Sequence, residues 1–326
     1  MSNKKINMLR LPTPLHKIDV DGKNNYYIKR DDLTDFALGG NKARKLEYFM
    51  FDILSKKSDC IVTYGSPHSN HCRLTAVAAA KFGLECHLIL TGTKDDLKYN
   101  GNDLIFSMCD AKVTWCTPEK ASLTIESTLN ELSINGHKPY FIEGGGHGNL
   151  GTQAYLNAYL EIQEQAKELK IEFDYIFLAS GTGTTQAGLI AGKLENKGKE
   201  NIIGISIARK ESRGKEVIQN SLADFFNSQT KYEYEKNINF DDSYIGTGYA
   251  DIYPDISKSI KKMLKTNAII LDPVYTGKAY WGMTEFIKKH QITKSNILFL
   301  HTGGIPIYFE KGINLMHSTG VKDAKR

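Results

Sequence analysis

Residues 180–188 read SGTGTTQAG and follow an apolar, β-branched run, DYIFLA at 174–179. Gly181 and Gly183 let backbone N–H groups approach an anion closely, and Thr182, Thr184 and Thr185 add hydroxyls. The helix expected to follow points its positive end at the same place, which makes a phosphate cradle. Two familiar nucleotide loops do not fit. A dinucleotide fingerprint needs a third glycine where Gln186 stands, and a Walker loop needs a Gly-Lys-Ser/Thr that never follows.

No acidic cluster with Mg²⁺ spacing accompanies the cradle, so the phosphate reads as a cofactor's handle rather than a nucleotide's. A phosphate-handled cofactor that works with a lysine is pyridoxal 5′-phosphate (PLP), which forms a Schiff base. The candidate lysine is Lys42 in LGGNKARKLE. Gly39 and Gly40 predict a close backbone approach, and Asn41 is placed to cap an amphipathic helix starting near Ala43. Arg44 and Lys45 are expected to face solvent or the phosphate side, with no chemistry of their own.

These residues need elements to hold them. CIVTY (60–64), CHLIL (86–90), KVTWC (112–116) and PYFI (139–142) read as strands, as do DYIFLA, IIGISI (202–207), AIIL (268–271) and ILFL (297–300). Helical patterns lie between them at 73–82, 97–108, 122–132, 152–169, 185–194 and 277–290. This alternation predicts an α/β fold, with parallel-rich sheets and helices on both faces. In such sheets ligands bind beyond the carboxyl ends of strands. Five turns stand at such ends: GSPHSNH, EGGGHG, SGTGTT, DPVYTGK and HTGG. Their repetition in one topological place predicts a shared cleft.

Composition excludes other classes. The chain has 326 residues, 42 Lys+Arg against 37 Asp+Glu, and 41% hydrophobic residues, which leaves it mildly basic and globular. Its lysine pairs are short and sit on helix faces, so no nucleic-acid partner is expected. The longest uncharged stretch, 175–192, carries Gly, Thr and Gln at its centre, so no membrane span is expected. Five cysteines without a CxxC pattern, two of them in apolar runs, read as reduced thiols in a cytoplasmic protein. His68, His71 and Cys72 lack a second ligand pair, so no metal is expected.

Seven segments then occur in a telling order: LPTPL, IKRDDLTDFALGGNKARKLE, SNHCRLTA, GTGTTQAG, GTGY, DPVYTGKA and LFLHTGG. Together they resemble fold-type II PLP enzymes, specifically the 1-aminocyclopropane-1-carboxylate (ACC) deaminase and D-cysteine desulfhydrase family. The resemblance runs from LPTPLHKI to HTGG. It implies the tryptophan-synthase-β-like architecture. Residues 1–45 and 152–326 would form a large PLP-binding domain, and 46–151 a small inserted domain. It implies that Lys42 is the Schiff-base lysine. Ser69, Asn70 and His71 would face the cofactor and hold the substrate carboxylate. Gly181, Thr182, Gly183, Thr184 and Thr185 would hold the phosphate. Tyr249 and Tyr275 would lie near the substrate, and Thr276 and Thr302 near the pyridine nitrogen. The freed Lys42 amine, Ser69 or a tyrosine would remove the α-proton. The family also implies a homodimer.

Position 276 divides the family's activities. ACC deaminases resemble DPVYEGK there, with a glutamate that strengthens the electron sink, whereas this chain has Thr276. It also has SNH where ACC deaminases have SNQ. Both features favour α,β-elimination on a small amino acid, D-cysteine first, over opening a cyclopropane ring. Departures at His68, Glu143 and His147 bear on the substrate more than on PLP. Other readings are β-replacement, ammonia-lyase action on another β-substituted amino acid, ACC deamination, or a non-catalytic binding protein on the same fold.

Overall fold

The computed structural model describes residues 4–228 and 231–312. Ten strands are β1 Leu15–Ile18, β2 Asn25–Arg30, β3 Cys60–Gly65, β4 Glu85–Thr91, β5 Lys112–Cys116, β6 Pro139–Ile142, β7 Tyr175–Ser180, β8 Asn201–Ser206, β9 Asn239–Asp241 and β10 Asn296–His301. The α-helices are α1 Asn41–Ser55, α2 Asn70–Lys81, α3 Asn102–Met108, α4 Ala121–Ile134, α5 Asn149–Leu169, α6 Thr184–Glu195, α7 Glu211–Phe226, α8 Pro254–Asn267, α9 Thr276–Lys289 and α10 Ile305–Glu310.

The strands form two sheets. One has the order β1-β2-β10-β7-β8-β9 and the other β5-β4-β3-β6. Every pairing is parallel except β1 with β2. Alternation within single strands explains why helices cover both faces. On β7 and β10, Ile176, Leu178, Leu298 and Leu300 pack with α5, α6 and α7. Their neighbours Phe177, Ala179, Ile297 and Phe299 pack on the other face with α8 and α9. The smaller sheet repeats this, with Ile61 and Leu88 against α1 and α2, and Val62 and Ile89 against α4. Such double burial is what parallel sheets require.

One expected strand is absent. Residues 268–271 are irregular, although Ile269 and Leu271 are buried. Ala268 sits in the left-handed region at φ 55°, ending α8. The Ile270 carbonyl bonds the His301 ring at 2.8 Å instead of a neighbouring strand. The four-residue apolar run marked burial, which an irregular segment also achieves.

Candidate active site

The carboxyl ends of the two sheets border a cavity of about 630 Å³. Lys42, Ser69, Asn70, His71, Gly181, Thr182, Gly183, Thr185, Tyr249, Tyr275 and Thr302 all line it. Thr184 and Thr276 do not. Thr184 is fully buried, with its hydroxyl 2.6 Å from His147 Nδ1. Thr276 is also fully buried. Its hydroxyl donates to Asp272 Oδ2 at 2.7 Å and accepts from the Asp272 amide at 2.9 Å. Asp272 also accepts from the amides of Val274, Tyr275 and Thr276, so it organises the turn that begins α9.

Lys42 stands in the first turn of α1. Gly40, not Asn41, is the N-cap. Asn41 instead donates to Thr185 Oγ1 at 3.0 Å and accepts from Lys42 Nζ at 3.2 Å, joining α1 to α6. The glycine pair is needed as expected: a Cβ on Gly39 would lie 1.9 Å from the Asp32 carbonyl oxygen. Burial lowers the Lys42 ammonium from 10.5 to about 8.

Arg44 and Lys45 do not face solvent; they are 3% and 1% exposed. Arg44 grips both oxygens of Asp31 at 2.8 and 2.9 Å, and both of Glu161 at the same distances. Tyr155 donates to Asp31 at 2.6 Å, and Lys29 pairs with Glu161 at 2.5 Å. Burial alone would lower the Arg44 guanidinium, yet Asp31 and Glu161 hold it well above its ordinary value. Lys45 lies one turn beyond Lys42 and donates to the Gly145 carbonyl at 3.1 Å. Burial first, then the Lys42 charge, push it well below 10.5. Among the described residues no carboxylate pairs with Lys42 or Lys45.

Ser69 caps α2, its Oγ accepting from the Cys72 amide at 3.2 Å and its hydroxyl bonding the Cys72 thiol. The Asn70 and His71 amides, in residues that line the cavity, open α2 without an intrahelical partner and so remain as donors there. Tyr249 and Tyr275 bring their hydroxyls to 2.6 Å of each other. Burial and the neighbouring Tyr249 hold the Tyr275 phenol well above 10. Thr302 presents its backbone carbonyl to the Asn41 amide at 3.0 Å, so it sits beside the Lys42 turn.

Some lining residues carry no sequence signal recognised above. Arg209 lies in the loop beyond β8, which has no glycine, and Arg213 in the first turn of α7. Arg209 donates to the Gly181 carbonyl and braces the 181–185 turn from outside. The buried hydroxyl of Ser180 has no partner. Of the open departures, His68 pairs with Glu310 of α10 at 2.5 Å, while Glu143 and His147 line the cavity. Glu143 is the one carboxylate among the described lining residues.

A family model described as pyridoxal-phosphate dependent enzyme matches residues 6–303. The chain belongs to the pyridoxal-phosphate-dependent enzymes. It is 33% identical over 320 residues to a D-cysteine desulfhydrase of Salmonella paratyphi A, covering 94% of this chain and 95% of the relative. It is 35% identical over 317 residues to a Pyrococcus abyssi protein whose name, 1-aminocyclopropane-1-carboxylate deaminase, is itself provisional; 94% and 91% are covered. The crystal structure of an ACC deaminase homologue superposes with a TM-score of 0.86 at 33% identity, covering 97% of this chain and 96% of that one.

The residues present fit the family's cofactor. Two lysines without carboxylates, Lys45 buried and Lys42 partly buried on the cavity wall, create a demand for an anion, and the 181–185 turn with the α6 N-terminus supplies oriented amides for one. Lys42, partly deprotonated near neutral pH, suits attack on an aldehyde.

Proposed function

We propose that this PLP-dependent enzyme carries out α,β-elimination on a small amino acid bearing a β-leaving group, with D-cysteine as the first candidate. D-Cysteine and water would give pyruvate, sulfide and ammonia. The observation that carries this reading is that the residues expected beside the cofactor ring, Thr276 and Thr302, carry no carboxylate. Thr276 spends its hydroxyl on Asp272, Thr302 offers only a hydroxyl, and Glu143 belongs to the loop beyond β6. Such a pair suits a substituent that departs readily, as a thiol does, better than a cyclopropane bond. The relatives named D-cysteine desulfhydrase support the same choice.

When bound, the cofactor supplies an electron sink for the negative charge at Cα. Lys42 would take the α-proton at Nζ, with Ser69 as the alternative base. The Ser69 hydroxyl and the opening amides of α2 would hold the substrate carboxylate. Gly181, Thr182, Gly183 and Thr185 would hold the phosphate with Asn70 nearby, and Thr184 would support that turn through His147. The joined phenols of Tyr249 and Tyr275 would orient the β-substituent and hand it a proton. Thr302 would face the ring, and Thr276 would act through Asp272 by shaping the turn.

We place residues 1–45 and 152–326 in the larger domain and 46–151 in the smaller, although 45/46 and 151/152 fall inside α1 and α5. Residues 313–326 lie outside those described. A homodimer in the cytoplasm completes the proposal. The five cysteines are free thiols, and no helix among the described residues is long and apolar enough to cross a membrane. The test is a panel of D- and L-amino acids with β-substituents, plus ACC, followed by absorbance and by keto-acid release. Pyruvate with equimolar sulfide from D-cysteine is the expected result. 2-Oxobutyrate from ACC as the dominant product would overturn it. Added thiol acceptors separate elimination from β-replacement.

A further inference from the structure

The His71 ring is held in one tautomer by two bonds. Thr63 Oγ1 lies 2.7 Å from the Ile142 carbonyl oxygen and 2.8 Å from His71 Nε2. A hydroxyl has one hydrogen, and a carbonyl has none to give. Thr63 therefore donates to Ile142, and His71 Nε2 must donate to Thr63. A neutral ring protonated at Nε2 leaves Nδ1 as a bare acceptor. That Nδ1 is buried without a partner, in a side chain whose residue is only 3% exposed. Burial, then the charges of Lys42 and Lys45, push His71 well below 6.5, so the ring stays neutral.

A buried acceptor without a donor is costly, and a carboxylate, which only accepts, cannot relieve it. The ligand must bring a hydrogen. Lys42 shares the cavity wall with His71 and has three ammonium hydrogens, of which one reaches Asn41 Oδ1. Lys45 is turned to Gly145. We propose that His71 is a positioning residue for Lys42, its Nδ1 accepting a hydrogen bond from the Lys42 ammonium, and that its side chain does not hold the substrate carboxylate. This rests on the elimination reading. There the proton leaves Cα for Lys42 Nζ while the electron pair stays with the substrate, so Lys42 becomes charged where it was neutral. His71 Nδ1 stabilises that charge on a wall whose only described carboxylate is Glu143. The carboxylate is then left to Ser69 and the α2 amides.

The first test needs no turnover. In cofactor-free protein labelled with ¹⁵N-histidine, the His71 signals, assigned by their loss in His71→Gln, should show one protonated and one bare nitrogen. They should stay unchanged across the neutral pH range. A doubly protonated ring, or a proton on Nδ1, overturns the proposal even if D-cysteine proves the right substrate. The second test compares His71→Gln, which keeps a donor for Thr63 and an acceptor, with His71→Leu. The glutamine variant should keep kcat within roughly threefold. The leucine variant should lose about tenfold in kcat, KM should change little, and the acid limb of the kcat profile should move to lower pH. A KM raised tenfold with kcat preserved would instead assign the side chain to the carboxylate. If no amino acid is turned over, the function fails while the ring-nitrogen result still decides the tautomer.

Discussion

Replacing Lys42 with Met should make the cofactor-free protein more stable at pH 7, against the usual trend for a site residue. Lys42 is lowered from 10.5 to about 8 because its ammonium is buried without a carboxylate. At about 1.36 kcal/mol for each pH unit, burying that charge costs the folded state roughly 3 kcal/mol. The sign follows from proton linkage. The folded pKa lies below the unfolded one, so the penalty is fully present below pH 8. It shrinks as pH rises from 8 towards 10.5, where the unfolded chain also loses its proton. Urea unfolding of cofactor-free wild type and Lys42→Met should therefore differ by up to about 3 kcal/mol at pH 7 and converge above pH 10.5. A second readout uses the amine itself. Addition of pyridoxal, which lacks the phosphate, should follow a titration with midpoint near 8. A variant less stable than wild type at pH 7, or a gap that ignores pH, would refute the reasoning, as would a midpoint near 10.5.

Other substitutions probe the surrounding frame. Arg44→Leu leaves Asp31 and Glu161 facing each other in the interior, so unfolding in urea should show a loss of about 3–5 kcal/mol. Thr276→Glu should lower the melting temperature without creating ACC deamination, because the new carboxylate meets Asp272 in a fully buried position. Tyr275→Phe removes the 2.6 Å phenol pair and should cut kcat about 10- to 100-fold, with circular dichroism unchanged.

Much of the frame was legible because its signals are local. The strand and helix alternation, the glycines that let Gly39 reach Asp32, and the 181–185 turn all declare themselves in short stretches. The His301 ring accepts from the Gly303 amide at 3.2 Å, as a residue capping the turn would. What stayed hidden depends on distant partners. Arg44 looked like a solvent-facing helix residue because Asp31 and Glu161 lie 13 and 117 positions away. Thr276 looked like a cavity hydroxyl until Asp272 was seen to take its hydrogen. Arg209 has no motif around it and earns attention only from its bond to Gly181. The SNH triplet announced a loop, but only Thr63 and Ile142 fix which nitrogen of His71 is bare.

The central claim is that the cofactor aldehyde is carried by the amine of Lys42. Borohydride reduction of the PLP-loaded enzyme, followed by proteolysis and mass spectrometry of the peptides, tests it most directly. The account predicts one reduced pyridoxyl group, on the peptide that contains Asn41-Lys42-Ala43, and none in Lys42→Met. A stable adduct on another lysine, Lys45 included, or no adduct at saturating cofactor, would contradict it.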